Sequence, residues 1–220
     1  MISIPTYNLV GMTADVLPFA PSARTDRERA FLRYRCDGRS LEVSTYDDTR
    51  AAVATWTPPE VPGGLDEPWE VLISTSDAKD LANGFKLTGA RANEVYLTVE
   101  SVHGDLVVTR KASDDEKLSV SGKRARYTGS LDAILPHPHE RYADLGERAP
   151  QRPVDYDERV AVPLGKACKR TGQRARLLSH DNGLTAVLPD QLVVFWRYPV
   201  EVDQDAIDAD AIVTAALETV

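Results

Sequence analysis

Leu41-Glu42-Val43-Ser44-Thr45-Tyr46-Asp47-Asp48-Thr49-Arg50-Ala51-Ala52-Val53 is the stretch from which the rest of the chain is read. Leu41, Val43 and Thr45 recur with a period of two, the spacing of a strand with one face buried. Tyr46 to Thr49 interrupts that strand with two acids, and Arg50 to Trp56 resumes as a strand rich in Ala and Val. Upstream, Phe31, Arg33 and Arg35 alternate with Leu32, Tyr34 and Cys36 until Asp37-Gly38, a dipeptide suited to a tight hairpin turn. The quoted stretch therefore lies in an antiparallel meander. Downstream, Pro58, Pro59, Pro62, Gly63, Gly64 and Pro68 end the unit, because neither a helix nor a ladder continues through them.

The same order of elements recurs along the chain. Before the meander come a short strand at Ile2 to Ile4 and a partly helical stretch from about Leu9 to Ala23. After it, Val71 to Ser74 reads as a strand, Ser76 as the cap of a helix from Asp77 to Phe85, and Gly89 as the residue beyond its end. Strands follow at Glu94 to Glu100, Leu106 to Arg110 and Lys117 to Ser121. A third unit is expected from Arg159: a strand to Val162, a helix from Pro163 to Thr171, and strands at Ala175 to Ser179, Leu184 to Leu188 and Leu192 to Tyr198. One strand-helix-three-strand unit thus repeats, at low identity between copies. Expected boundaries are a domain at 1–130, a proline-rich connector at 131–153, a partial second domain at 154–200, and an acidic helix at 201–220.

A chain of 220 residues with 42% hydrophobic content is long enough to bury a substantial core without disulfides. Its two cysteines, Cys36 and Cys168, are expected to be reduced thiols of a cytoplasmic protein. Met1 to Ala20 lacks a basic n-region and is interrupted by Pro5 and Pro18, so it does not read as a signal peptide. No apolar run approaches the roughly 20 residues that span a bilayer, and no membrane partner is expected. The formal net charge of -8 argues against coating nucleic acid with the whole surface.

Gly165 to Arg176 runs against that acidic background, with Lys166, Lys169, Arg170, Arg174 and Arg176 and no acid between them. On a helix, Lys166, Lys169 and Arg170 stand at spacings of three and four. Cations without interleaved aromatics or base-reading amides suit contact with phosphates regardless of sequence, and a plain solvated face is the competing reading. Chemistry is poorly represented elsewhere. His137 and His139 lie two apart in a proline-rich loop without further ligands, so no metal is expected there. Asp203, Asp205, Asp208 and Asp210 lack the glycine and glutamate of an EF-hand loop. Gly63-Gly64 precedes acids and no P-loop lysine. With no paired nucleophile and base, no catalytic residue and no cofactor are expected.

Ser44 to Val53, with its Thr-x-Asp-x-x-Arg-x-Ala-Val character, resembles the signature of the bacterial DNA sliding clamp, the β processivity factor of DNA polymerase. Val71 to Phe85 is similar to that family's next helix entry, and Leu188 to Val200 to its final strand. The resemblance implies an α+β clamp fold: repeated strand-helix-three-strand units with antiparallel sheets and helices on one face. It implies a non-catalytic processivity factor that encircles or contacts duplex DNA without sequence specificity and tethers a polymerase through its short hydrophobic motif. Arg24, Lys79, Lys86 and Arg91, with the cations of Gly165 to Arg176, are the implied DNA contacts. Ala51, Val53, Ile134, Leu135, Phe195 and Trp196 are the implied partner-binding cleft.

The chain also departs from the family. It has room for about two domains instead of three, and Tyr127-Thr128-Gly129-Ser130 replaces the family's aromatic-Pro-Asp-Tyr motif. A short clamp of phage or mobile-element type would close its ring as a homo-oligomer, a trimer of two-domain subunits being one arrangement. The alternative is a clamp-fold interaction module that neither forms a ring nor binds DNA.

Overall fold

The structure is a computed structural model and describes residues 1–24, 26–59, 67–87, 94–113, 120–130, 136–146, 158–189 and 191–197. The first unit comprises β1 (Ile2–Pro5), α1 (Thr6–Val16), β2 (Phe31–Cys36), β3 (Leu41–Tyr46) and β4 (Arg50–Trp56). The second comprises β5 (Trp69–Ser74), α2 (Thr75–Phe85), β6 (Tyr96–Val102), β7 (Asp105–Arg110) and β8 (Lys123–Tyr127). The short α3 (Pro138–Arg141) leads to the third unit, α4 (Glu158–Thr171), β9 (Arg176–His180), β10 (Gly183–Leu188) and β11 (Leu192–Arg197).

The turns explain why the quoted stretch folds as it does. Asp37 accepts from the backbone N–H groups of Arg39 (2.8 Å) and Ser40 (2.7 Å), and Gly38 takes φ 89°, a left-handed conformation costly for a residue with a Cβ. In the β3–β4 turn, Asp47 Oδ1 accepts from the N–H groups of Thr49 and Arg50 and from the Thr49 hydroxyl, each at 2.8 Å. The polar interruption at Tyr46 to Thr49 is thus a turn closed by its own carboxylate.

Strands are exchanged between the first two units. β5 of the second pairs with β2 of the first, and β1 of the first pairs with β6 of the second. The resulting sheets run β1-β6-β7-β8 and β5-β2-β3-β4-β11-β10-β9, all pairs antiparallel. β4 of the first unit pairs with β11 of the third, from Leu192↔Ala54 to Trp196↔Arg50, so the seven-stranded sheet crosses the boundary expected between the two domains.

α1, α2 and α4 cover one face of the sheets over the main core, which contains Leu9, Phe19, Leu32, Tyr34, Ile73, Phe85, Leu97, Val108, Leu164, Val194 and Trp196. The opposite face of the β4–β11 seam holds a smaller cluster of Tyr46, Ala51, Val53, Tyr142, Leu145 and Phe195. Period two divides neighbouring residues between the two, with Ala52 and Trp196 on the helix side and Ala51 and Phe195 on the other.

Several expected boundaries are corrected. α1 begins at Thr6 and ends before a 3-10 turn at Leu17–Phe19, where Pro18 lies. α2 is capped by Ser74 instead of Ser76: its hydroxyl accepts from the Asp77 N–H at 3.0 Å, and Asp77 favours the positive end of the helix dipole. At the other end, Lys123 Nζ donates to the Gly84 carbonyl at 2.8 Å and lies 5.0 Å from the Phe85 ring centre. The third strand of the second unit is Lys123–Tyr127; most of the expected Lys117 to Ser121 lies outside the described residues.

Arg159 to Val162, expected as a strand, belongs to α4, which runs through Pro163. Proline supplies no N–H to the carbonyl four residues back. That carbonyl, of Arg159, instead accepts from the Arg50 guanidinium at 3.2 Å. The expected acidic helix at 201–220 and most of the connector lie outside the described residues.

Candidate functional site

The helix layer presents both charges outward, Lys79 and Lys86 with Asp80 on and beside α2, and Lys166 and Lys169 with Glu158 on α4. α1 packs between α2 and α4 and carries one carboxylate, Asp15, which is buried. Arg170 of α4 reaches that carboxylate through two nitrogens, with Nε 3.2 Å from Oδ1, and its guanidinium lies 5.3 Å from the Tyr7 ring centre. The Tyr7 hydroxyl donates to the Arg170 carbonyl at 2.9 Å. A Cβ on Gly11 would stand 2.6 Å from Arg170 Nη1, so a glycine leaves room for the arginine to cross α1.

Arg170 was expected beside Lys166 and Lys169 as an outward phosphate contact. Instead it turns towards α1, because a buried carboxylate without a counter-charge is costly. Its effect on the face is indirect, since it cancels the negative charge of α1. Lys79, Lys86, Lys166, Lys169, Arg174 and Arg176 are exposed. Lys79 and Lys86 are seven residues apart along α2 and its end, and Lys166 and Lys169 share the outer side of α4. Arg24 is exposed in the loop after the first 3-10 turn, and Arg91 lies outside the described residues.

The expected cleft residues divide three ways. Ala51, Val53 and Phe195 meet in the smaller cluster, where Ala51 is 0% exposed and Phe195 9%. Trp196 is corrected out of the cleft, since strand alternation turns it into the main core. Ile134 and Leu135 lie outside the described residues.

The cluster is covered by a segment that the sequence left irregular. Tyr142 stacks on Phe195 with ring centres 5.8 Å apart, and its hydroxyl donates to the Asp47 carbonyl at 3.1 Å. Burial pushes the Tyr142 phenol well above its ordinary range. The Arg197 guanidinium lies 5.0 Å from the Tyr142 ring centre and donates to the Arg141 carbonyl at 2.8 Å. His139 meets the edge of Phe195, with centres 5.2 Å apart. Tyr46, Tyr142, Leu145 and Val193 join the cluster without having been anticipated. Tyr142 and Leu145 lie in a stretch without period two or 3.6, so no local pattern marks them.

The two histidines have structural partners. His137 Nε2 lies 2.8 Å from Glu42 Oε1, and its Nδ1 accepts from the His139 N–H at 3.2 Å, capping α3. Among the described residues, no group of three or more His, Cys, Asp or Glu side chains is placed to hold a metal ion. No helix among them is long and apolar enough to cross a membrane.

No family model matches the sequence, and no curated protein matches it. Solved structures do match the fold. The DNA polymerase III subunit beta of Pseudomonas aeruginosa superposes with a TM-score of 0.60 at 11% identity, covering 94% of this chain and 67% of that one. The same organism's sliding clamp bound to griselimycin gives 0.59 at 11% identity, over 90% of this chain and 66% of that one. The β sliding clamp of C. crescentus, with polyethylene glycol bound in its tethering region for β-motifs, gives 0.59 at 9% identity, over 94% and 66%. The fold is that of bacterial sliding clamps, with antiparallel sheets and helices in an α+β arrangement. The chain spans about two thirds of their length.

Proposed function

We propose that this clamp-folded chain is a non-catalytic processivity factor that holds duplex DNA against its helix layer without reading sequence. The carrying observation is the acid-free run from Gly165 to Arg176 at the end of α4. Lys166, Lys169 and Arg174 are exposed there, the carboxylate of α1 beside them is paired with Arg170, and Lys79 and Lys86 add cations on and beside α2, where Asp80 is also exposed, in a chain of net charge -8. Cations set apart from an acidic remainder suit phosphate contact, and lysines at helical spacing follow a backbone instead of a base edge. Arg24, Arg91 and Arg176 would extend the contact.

A partner's short hydrophobic motif would dock at the rim of the smaller cluster, where Phe195 and His139 come nearest the surface. Buried apolar groups contribute most of such an interaction. Encirclement by a chain of this length calls for several copies, so a homo-oligomer is part of the proposal.

The test is retention on circular DNA after loading, followed by linearisation. An enclosing clamp stays on the circle and slides off the linear form, and K166E/K169E shortens its dwell on the circle. Equal loss from both forms would contradict encirclement.

The second reading is a clamp-fold interaction module without DNA, for which the strongly negative overall charge speaks. That reading predicts partner capture unaffected by K166E/K169E and no retention on either form.

A further inference from the structure

The net charge of -8 is unevenly placed along the chain. Residues 198–220 hold six of its 34 acids, Glu201, Asp203, Asp205, Asp208, Asp210 and Glu218, and no Lys, Arg or His. All 26 Lys and Arg residues therefore face only 28 acids in 1–197, which stands at -2, and the other -6 lies in 198–220. Within 1–197, positive charge gathers at the end of α4. Gly165 to Arg176 has five cations and no acid; Arg170 turns inward to Asp15, while Lys166, Lys169, Arg174 and Arg176 are exposed.

The sheet sets the distance between the two charges. β11 pairs with β10 with Arg197 opposite Gly183, and β10 pairs with β9 with Val187 opposite Arg176. Segment 198–220 thus starts two strands across and four residues along from Arg176, roughly 16 Å away at strand spacings. From Arg176 the chain leads back through Arg174 to Lys169 in seven residues, which adds about 25 Å at most. Asp203 can stand up to about 20 Å from Arg197 and Asp210 up to about 43 Å, at full extension. The acids of 201–210 therefore reach the whole stretch from Arg176 to Lys169.

We infer that residues 201–210 dock on the exposed cations of Gly165 to Arg176 in the same chain, so that an incoming polyanion must displace them. Charge complementarity and the tether name this occupant: a base-free acidic run leaves the fold within reach of an acid-free basic one. A partner in the same chain acts at an effective concentration of roughly millimolar order. Exposed ion pairs are individually weak and are screened by salt, so the contact gives way to a stronger anion instead of blocking the surface outright. The docking rests on the charges alone. Its consequence, competition between this segment and duplex DNA, rests on the proposed function.

The experiment treats the full chain with a water-soluble carbodiimide, which joins a lysine amine to a carboxylate in contact with it, and maps the linked peptides by mass spectrometry. The expected products link Lys166 or Lys169 to acids of 201–210 within one chain at roughly 50 mM salt and fade at roughly 500 mM. Links from these acids only to other lysines, links only between two chains, or none at all would overturn the inference. Duplex DNA binding by D203N/D205N/D208N/D210N is the second readout. Its affinity should exceed that of wild type by about tenfold at low salt, converge with it as salt rises, and return to wild type when the same four positions carry Glu. In a K166E/K169E background the gain should shrink to about twofold or less. An equal gain in both backgrounds, the mark of net charge alone, would overturn the docking. Links at Lys166 and Lys169 with no DNA binding by either protein would support the docking and count against the proposed function.

Discussion

The Arg50 guanidinium donates to the main-chain carbonyl of Arg159 at 3.2 Å, joining the turn after β3 to the first turns of α4 across 109 positions of sequence. The same side chain is held by Asp47 at 3.2 Å, and the Thr49 carbonyl beside it accepts from the Arg197 N–H at 2.8 Å. The turn therefore ties the first unit to both ends of the third. Pro163 leaves the Arg159 carbonyl in need of a donor, so the contact answers a deficit created by the sequence of α4.

Replacing Arg50 with Ala removes its surface contact to the Arg159 carbonyl and leaves the part-buried Asp47 carboxylate with one fewer donor. A destabilisation of about 1.5 to 3 kcal/mol is expected, the range for hydrogen bonds to charged groups. Chemical denaturation measures it. The substitution P163A should recover part of that stability, because alanine restores an N–H to the Arg159 carbonyl; equal destabilisation in the two backgrounds would refute this link.

Glu42 gives the fold a dependence on pH. Burial opposes ionisation of its carboxylate, but the hydrogen bond and charge of His137, the hydrogen bond from Ser44 and the charge of Arg35 outweigh it and hold its pKa below the ordinary 4.5. A carboxylate depressed on folding adds stability above its unfolded pKa and loses it as pH falls through the folded value. Wild type should exceed E42Q in stability at neutral pH, and the gap should close as the pH drops below about 4.5. Urea midpoints measured across that range decide the matter.

Phe195 and Trp196 are neighbours with opposite duties. Phe195→Ala should cost about 3 kcal/mol, the low end for truncating a buried aromatic, and should weaken capture of a hydrophobic partner peptide. Trp196→Phe should lower stability while leaving peptide affinity unchanged in the folded fraction, because the side chain faces the helices. Calorimetric titration of both variants with one peptide separates the roles; an equal drop in affinity would place both residues at the docking surface.

The fold was legible where local chemistry repeats. Asp37-Gly38 and Asp47-x-Thr49-Arg50 specify turns through their own side chains, and the strands between them alternate. Long-range choices were not legible. The exchange of β1 and β5 depends on partners from 33 residues away, at Cys36↔Trp69, to 97 away, at Ile2↔Val99, and Arg159 to Val162 is apolar enough to read as a strand until the Arg50 hydrogen bond to its first carbonyl is seen. The exposure of Lys166 and Lys169 was readable from spacing, because solvated charges follow helical period. Arg170 was misread as one of them because its partner, Asp15, lies 155 positions away. Trp196 adjoins Phe195 in sequence, but strand alternation puts the two on opposite faces of the sheet.

The salt dependence of binding to short duplex DNA tests the proposed DNA-facing surface most directly. The logarithm of affinity should fall linearly with the logarithm of salt concentration, with a slope that flattens by about 0.9 for each phosphate the protein no longer neutralises. K166E/K169E is expected to weaken binding equally across unrelated sequences and to flatten the slope by the equivalent of about two phosphates. An affinity that is insensitive to salt, or a variant that binds as the wild type does, would contradict the reading of the helix layer as a DNA-facing surface.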